Sequence, residues 1–415
     1  MDAGGFFMHP FRSGLLANRV VQAIILSEVF LQIGIWVRNF AVLLYVVEMT
    51  GEDPFAVSMV SVAEYGPIFL FSFIGGTFAD RWRPKKTMIW CELLSALSVF
   101  AVLFTLMTGS WQTVFFSMLF SAILSQFSQP SGLKLFKLHV PTEQVQEGMS
   151  LYQTVFSVFM VFGPILGTLA YQRLSIYGAI AITGVAFLLS AAALLVLLPE
   201  KDPVQVKETQ TSVLREMKEG IQYLLSKQVL TLMGACFLAA GLAMGLIQPL
   251  GVFLVTERLG LAKESLQWLL TVYGIGMMLG GGLSLTMARR VAPQKLLVVG
   301  MFANAVGIVA TGLSTSLGLT LAAQLLSGMS LPSISIGINT MIMQNTESQF
   351  VGRVNGILNP LFTGAMVVTM GMSGVLKNYF SLVTLYQASG ILMFIGILFI
   401  LPVYRRPAIG EEVEA

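Results

Sequence analysis

Gly75-Gly76-Thr77-Phe78-Ala79-Asp80-Arg81-Trp82-Arg83-Pro84-Lys85-Lys86 is a basic turn set between two long apolar runs, about 55–79 and 87–108. Roughly 20 apolar residues suffice to cross a bilayer as a helix, so the turn reads as a loop joining two spans. Within it, Gly76 lets a neighbouring helix backbone come close. Asp80 can pair with a cation or a helix N-terminus, and Arg81, Lys85 and Lys86 pin the loop to the cytoplasmic face. An excess of cytoplasmic cations accounts for Arg83, Lys85 and Lys86 but not for Asp80, so the segment reads as a polar latch with two packings.

Working outward, apolar runs recur at about 20–47, 112–135, 149–171, 177–198, 229–255, 266–288, 294–313, 317–343, 353–376 and 380–402, which makes twelve spans in all. The bulk figures agree: 55% of residues are hydrophobic, 11% are charged and the mean hydropathy is +0.80. No ordinary soluble domain has that composition. Arg12 and Arg19 before the first run look like a secretory leader, but the run is long and many follow it, so it stays as a span. An even number of spans places both termini on one side. Arg81, Arg83, Lys85, Lys86, Lys134, Lys137, Arg289, Arg290, Lys295 and Arg353 share that side, against Arg173, Arg258, Lys263 and Lys377 on the other. Both ends are therefore expected in the cytoplasm of a bacterial inner or plasma membrane.

The one long polar stretch, 199–228, divides the spans six and six and predicts a first bundle over 1–198 and a second over 229–415. Inside it Val213, Leu214, Met217, Ile221, Leu224 and Leu225 recur at helical spacing against Arg215, Glu216, Lys218 and Glu219, an amphipathic helix along the membrane surface. The halves repeat weakly: the second span ends in a glycine pair and a basic turn, and the eighth ends in Gly281-Gly282 followed by Arg289, Arg290 and Lys295. Parallel six-span repeats around a midplane site mark rocking transporters.

The segment from Gly76 to Lys86 resembles the loop between the second and third helices of the major facilitator superfamily, with Arg83 and Pro84 replacing the usual Gly and Arg. Gly163-Pro164-Ile165-Leu166-Gly167, preceded by the segment opening at Pro141, is similar to the fifth-helix motif of that superfamily's exporters. Proline kinks a helix and flanking glycines allow tight packing. With Gly352-Arg353-Val354-Asn355-Gly356, the whole chain looks like the subgroup holding macrolide-efflux and enterobactin-exporter proteins. The resemblance implies an all-α membrane protein of two pseudo-symmetric six-helix bundles, working by alternating access as a monomer. It also implies that Gly76, Asp80, Arg81, Lys85 and Lys86 lock the outward-facing state.

Ionisable residues inside spans are costly and mark function. Arg38 and Glu64 each sit about nine residues from the outer ends of their spans, roughly 13 Å deep at 1.5 Å per residue. At that common depth they are expected to pair, either as a permanent ion pair or as a switch that protonation of Glu64 opens. Glu28, Gln32 and Asn39 form a stripe on one face of the first helix, with Trp36 on the same side, and read as a wall of the transport path. Glu92 reads as snorkelling, or as pairing with Lys86. The proton-coupling set is thus Glu28, Arg38 and Glu64.

The second half carries almost no charge within its spans. Its cavity candidates are Gln248, Asn304, Asn339 and Asn359, with Gln324 and Asn355, though an intramembrane amide can simply bond two helices. A cavity poor in charge and rich in Met and Phe suits amphiphilic or lipophilic molecules. The expectation is proton-coupled export of drug-like, lipophilic or siderophore-like molecules, with import or uniport of a metabolite or lipid as the other reading. Cys91 and Cys236 lie in apolar runs, and His9 and His139 have no ligand-spaced partner, so neither metal nor cofactor is expected. No nucleophile with a partner base argues for an enzyme, and the basic residues follow membrane topology, not a nucleic-acid groove.

Overall fold

The computed structural model describes residues 18–81, 83–106, 111–140, 142–197, 213–288, 290–347 and 350–404. Its regular elements are all helices. Helix α1 (Arg19–Met49) is opened by Asn18, whose side chain accepts the Val20 N–H at 2.9 Å. Next come α2 (Pro54–Arg81) and α3 (Pro84–Leu106), the latter starting on a proline whose missing N–H is harmless in a first turn. Helices α4 (Trp111–His139) and α5 (Thr142–Leu197) follow, and α5 turns at Ser175, where φ is 56°, so that it contributes two spans. Helix α6 (Val213–Ser226) links the halves.

Helix α7 (Gln228–Ile247) runs on through a tight turn at Gln248–Leu250 and a widened one over Leu254–Arg258. The set is completed by α8 (Leu266–Ala288), α9 (Pro293–Leu313), α10 (Leu317–Asn345), α11 (Val351–Tyr379) and α12 (Leu382–Tyr404). Ten described stretches are long and apolar enough to cross a membrane, and one of them, Ser150–Leu195, is the doubled α5. The remaining span is α4, whose 29 residues are long enough but diluted by serine and glutamine.

The packing repeats from half to half. In the first, α1 packs on both parts of α5, α3 on α4 and α5, and α2 on α4. In the second, α7 packs on α11 and α12, α9 on α10 and α12, and α8 on α10. The two sets of neighbours superpose when six spans are added to each number, which makes the weak sequence repeat a structural one. Between the halves, α2 meets α11 and α5 meets α8, again an equivalent pair.

One end of this pair of bundles is tied shut. Lys263 Nζ donates to Glu48 Oε2 at 2.6 Å and to the Leu44 carbonyl at 3.2 Å, and Thr256 donates to Glu52 at 3.2 Å. A Cβ on Gly374 would lie 2.3 Å from the Pro54 carbonyl oxygen. The second half's apolar core also continues into Val47 and Val57.

Helix α6 does not trail freely. Its Tyr223 ring stacks on Phe350 with centroids 4.1 Å apart, its Glu219 pairs with Arg353 at 3.0 Å, and Leu224 enters the second half's core. Of the described part of its apolar face, Ile221 and Leu225 remain exposed. Residues 199–212 of the expected linker lie outside the described residues.

Candidate functional site

The polar centre of the first half grows from four helices. Arg38 on α1 is buried, 5% exposed, and its Nε and NH2 donate to the side-chain oxygen of its neighbour Asn39 at 3.1 and 3.0 Å. Asn39 then donates from Nδ2 to Glu64 Oε1 on α2 at 2.6 Å. The expected direct contact of Arg38 with Glu64 is therefore replaced by a relay through Asn39. An amide suits that post because its oxygen accepts from the cation while its nitrogen donates to the carboxylate. The remaining arm of Arg38 donates to Ser121 Oγ on α4.

Glu92 departs from its expected place. It is 2% exposed and accepts a hydrogen bond from Ser128 Oγ of α4 at 3.0 Å. Helix α3 begins at Pro84, which puts Glu92 more than two turns inside the helix and beyond an easy reach for solvent. Arg38, Glu64 and Glu92 all line one cavity of about 150 Å³, together with Cys91, Ser95, Ser121, Ser125, Gln126, Ser128 and Gln129. Every lining residue belongs to α1, α2, α3, α4 or the second part of α5. A passage between the two halves was expected to hold these charges; the cavity instead lies inside the first half.

The other members of the polar stripe go elsewhere. Gln32 Nε2 donates to Glu28 Oε1 at 2.7 Å, and Glu28 also receives the Tyr152 hydroxyl from α5. Glu28 and Gln32 do not line the Arg38 cavity. Trp36 is a packing residue for the kink motif: a Cβ on Gly163 would lie 2.3 Å from its ring, and one on Gly167 would lie 2.7 Å from its carbonyl oxygen. Only glycine at 163 and 167 lets α5 seat on α1 beside Pro164.

In the second half, Asn304 is a helix-to-helix bond, donating to Ser330 Oγ at 3.1 Å and to the Ser327 carbonyl at 3.3 Å. Gln248 hydrogen-bonds Tyr65 of α2, across the halves. Asn339 and Asn359 are exposed, and the Asn359 carbonyl accepts from Thr363 in its own helix. The side chains of Asp80 and Arg81 lie outside the described residues; the backbone places Gly76, Asp80 and Arg81 of the expected latch in the C-terminal turns of α2, with Lys85 and Lys86 in the first turn of α3. Among the described residues no group of three His, Cys, Asp or Glu side chains could hold a metal.

What sequence reading left out is the α4 stripe, Ser121, Ser125, Ser128 and Gln129, spaced i, i+4, i+7 and i+8 on one helix face. That periodicity was the available signal.

Residues 24–262 and 233–414 match the family model described as Major Facilitator Superfamily. The chain is 26% identical over 416 residues to Uncharacterized MFS-type transporter YkuC of Bacillus subtilis (strain 168), covering 96% of each chain. It is 22% identical to Macrolide efflux protein A of Streptococcus pyogenes, over 86% of this chain and 89% of that one. A solved structure of the nucleoside transporter NupG superposes with a TM-score of 0.77 at 11% identity, covering 94% of this chain and 100% of that one.

Proposed function

The chain belongs to the Major Facilitator Superfamily, a transporter and not an enzyme, and from that premise we propose that it exports lipophilic or drug-like small molecules in exchange for protons. The observation that carries the reading is the hydrogen-bonded run Arg38–Asn39–Glu64 beside a polar cavity in an otherwise apolar bundle. Charges in hydrocarbon are kept only where they perform a task. Likeness to a macrolide efflux protein supports the direction and the class of cargo.

In this reading the end held by Lys263 is the outer one and the structure is closed there. Cargo enters from the cytoplasmic side between the halves, past Gln248, Asn339 and Asn359. Protonation of Glu64 removes the charge that Asn39 relays to Arg38. The freed guanidinium changes partners, and α2 shifts against α11. The Asp80–Arg81 latch then engages as the outer contacts part.

The test uses inside-out membrane vesicles, an imposed pH gradient and radiolabelled erythromycin as the probe. We expect uptake that collapses with the gradient and falls to background in Glu64→Gln. Gradient-driven uptake that survives unchanged in both Glu28→Gln and Glu64→Gln overturns the coupling assignment. Transport running only in right-side-out vesicles overturns export.

A further inference from the structure

The cavity holds one cation and two acids, and that count has consequences. Resting on the coupling reading above, we propose that Glu64 and Glu92 share a single exchangeable proton about Arg38, so that the cavity is a one-proton site with two alternative seats.

The groups facing the cavity support the count. Helix α1 supplies Arg38, α2 supplies Glu64, and α3 supplies Glu92 and the Cys91 thiol. Helix α4 adds only neutral residues, Ser121, Ala122, Ser125, Gln126, Ser128 and Gln129, and the second part of α5 adds Phe187. Glu28 and Tyr152 lie next along the bundle and bond to each other. Arg38 stands within electrostatic reach of both carboxylates.

In so buried a place an uncompensated charge is expensive. With both acids ionised the cluster carries one excess negative charge, and with both protonated Arg38 has no counterion. One proton makes the whole cluster neutral. The two seats differ in their neighbours: Glu64 is held by Asn39 on the helix that touches the second half, whereas Glu92 is held by Ser128 within the first. Moving the proton from Glu92 to Glu64 passes the negative charge, and so the attention of Arg38, from α2 to α3. Ser121 and Ser128 are positioning residues that let α4 hold the guanidinium and the Glu92 carboxylate while this happens.

Infrared pH titration of the purified protein tests this without any cargo. The wild type should show one protonated-carboxyl C=O band from this cavity. Glu64→Gln and Glu92→Gln should each abolish it, because the acid left behind becomes the permanent counterion of Arg38. Glu28→Gln should retain it. If each single variant instead keeps a protonated carboxyl at half the wild-type intensity, the acids hold protons independently and the proposal is overturned.

Thermal unfolding supplies a second measurement. Both single Gln variants should unfold near the wild-type temperature. The double variant Glu64→Gln with Glu92→Gln should lose most folded protein, and adding Arg38→Met should restore it. A double variant as stable as the singles overturns the charge count, whatever the transport assay gives. Loss of erythromycin transport with this pattern intact would instead overturn the function proposed above and leave the shared site standing.

Discussion

The two halves share a packing plan but use different chemistry within it. In the first, Gly34, Gly163 and Gly184 receive the rings of Phe187, Trp36 and Phe100, and buried ionisable groups sit around a cavity. In the second, Gly241, Gly245, Gly276, Gly280 and Gly328 press against backbone carbonyl oxygens of Phe362, Met366, Leu325, Met329 and Tyr273. A ring can turn out of the way, but a carbonyl locked in a helical hydrogen bond cannot. We therefore expect the first half to adjust around its charges more readily than the second, although there too Gly312 and Gly390 meet the side chains of Tyr386 and Val309. Among the described glycines of the first half, Gly167 alone meets a backbone atom, the Trp36 carbonyl oxygen.

The largest effect that follows is on folding. Gly328→Ala would place its Cβ 2.1 Å from the Tyr273 carbonyl oxygen, so two helices must part. We expect a loss at or beyond the upper end of the roughly 1–3 kcal/mol that overpacking costs, read as little monodisperse protein. Gly184→Ala, whose Cβ would lie 2.5 Å from Cζ at the far edge of the Phe100 ring, should fold with a loss nearer about 1 kcal/mol. Equal losses in thermal unfolding would break the contrast between stiff and adjustable halves.

Much of this plan is legible from residues alone, because a span is a matter of length and apolarity, and a turn with glycine and cations is punctuation. The site is less so. Arg38 and Asn39 are neighbours about 100° apart around α1, so counting faces separates them, yet a long guanidinium folds back onto the next side chain. Glu92 reads as interfacial when depth is counted from the loop, and only the three-dimensional placement of Ser128 shows it turned inward. The α4 serines are individually unremarkable in a membrane helix, where a hydroxyl can bond its own backbone, as Ser125 does to the Ala122 carbonyl.

A smaller effect probes the tie between the halves. Glu48 is 61% exposed and its partner Lys263 only 16%, so the pair is screened and contributes less than about 1 kcal/mol to folding. Lys263→Met should leave the unfolding temperature nearly unchanged. It should still shift the balance of states, because Lys263 also holds the Leu44 carbonyl at the end of α1, and Tyr171 donates to the same carboxylate at 2.7 Å. A cysteine in place of Ser58, which is fully buried beside Gly374, reports on this. Its labelling by a membrane-impermeant maleimide should rise severalfold in the Lys263→Met background. Unchanged labelling would mean that the ion pair decorates a face held shut by its other contacts.

The smallest effect concerns the second half's own buried amide. Asn304 is 2% exposed and makes two hydrogen bonds from Nδ2, but its Oδ1 has no partner. Intramembrane side-chain bonds average about 0.6 kcal/mol, while an orphaned buried acceptor costs about 1–3 kcal/mol. Asn304→Leu should therefore be neutral or slightly stabilising in thermal unfolding, as a structural amide in a stiff half allows. Asn304→Asp sharpens the point. With no cation in that packing, the carboxyl can be buried only as the neutral acid, so stability should fall as pH rises above about 4, where the unfolded chain's carboxyl ionises, by up to about 1.4 kcal/mol per pH unit. Glu64 in the first half, by contrast, has Arg38 linked to it through Asn39. A flat pH profile for Asn304→Asp would show that water already reaches α9, and the division into a titratable half and a dry one would fall.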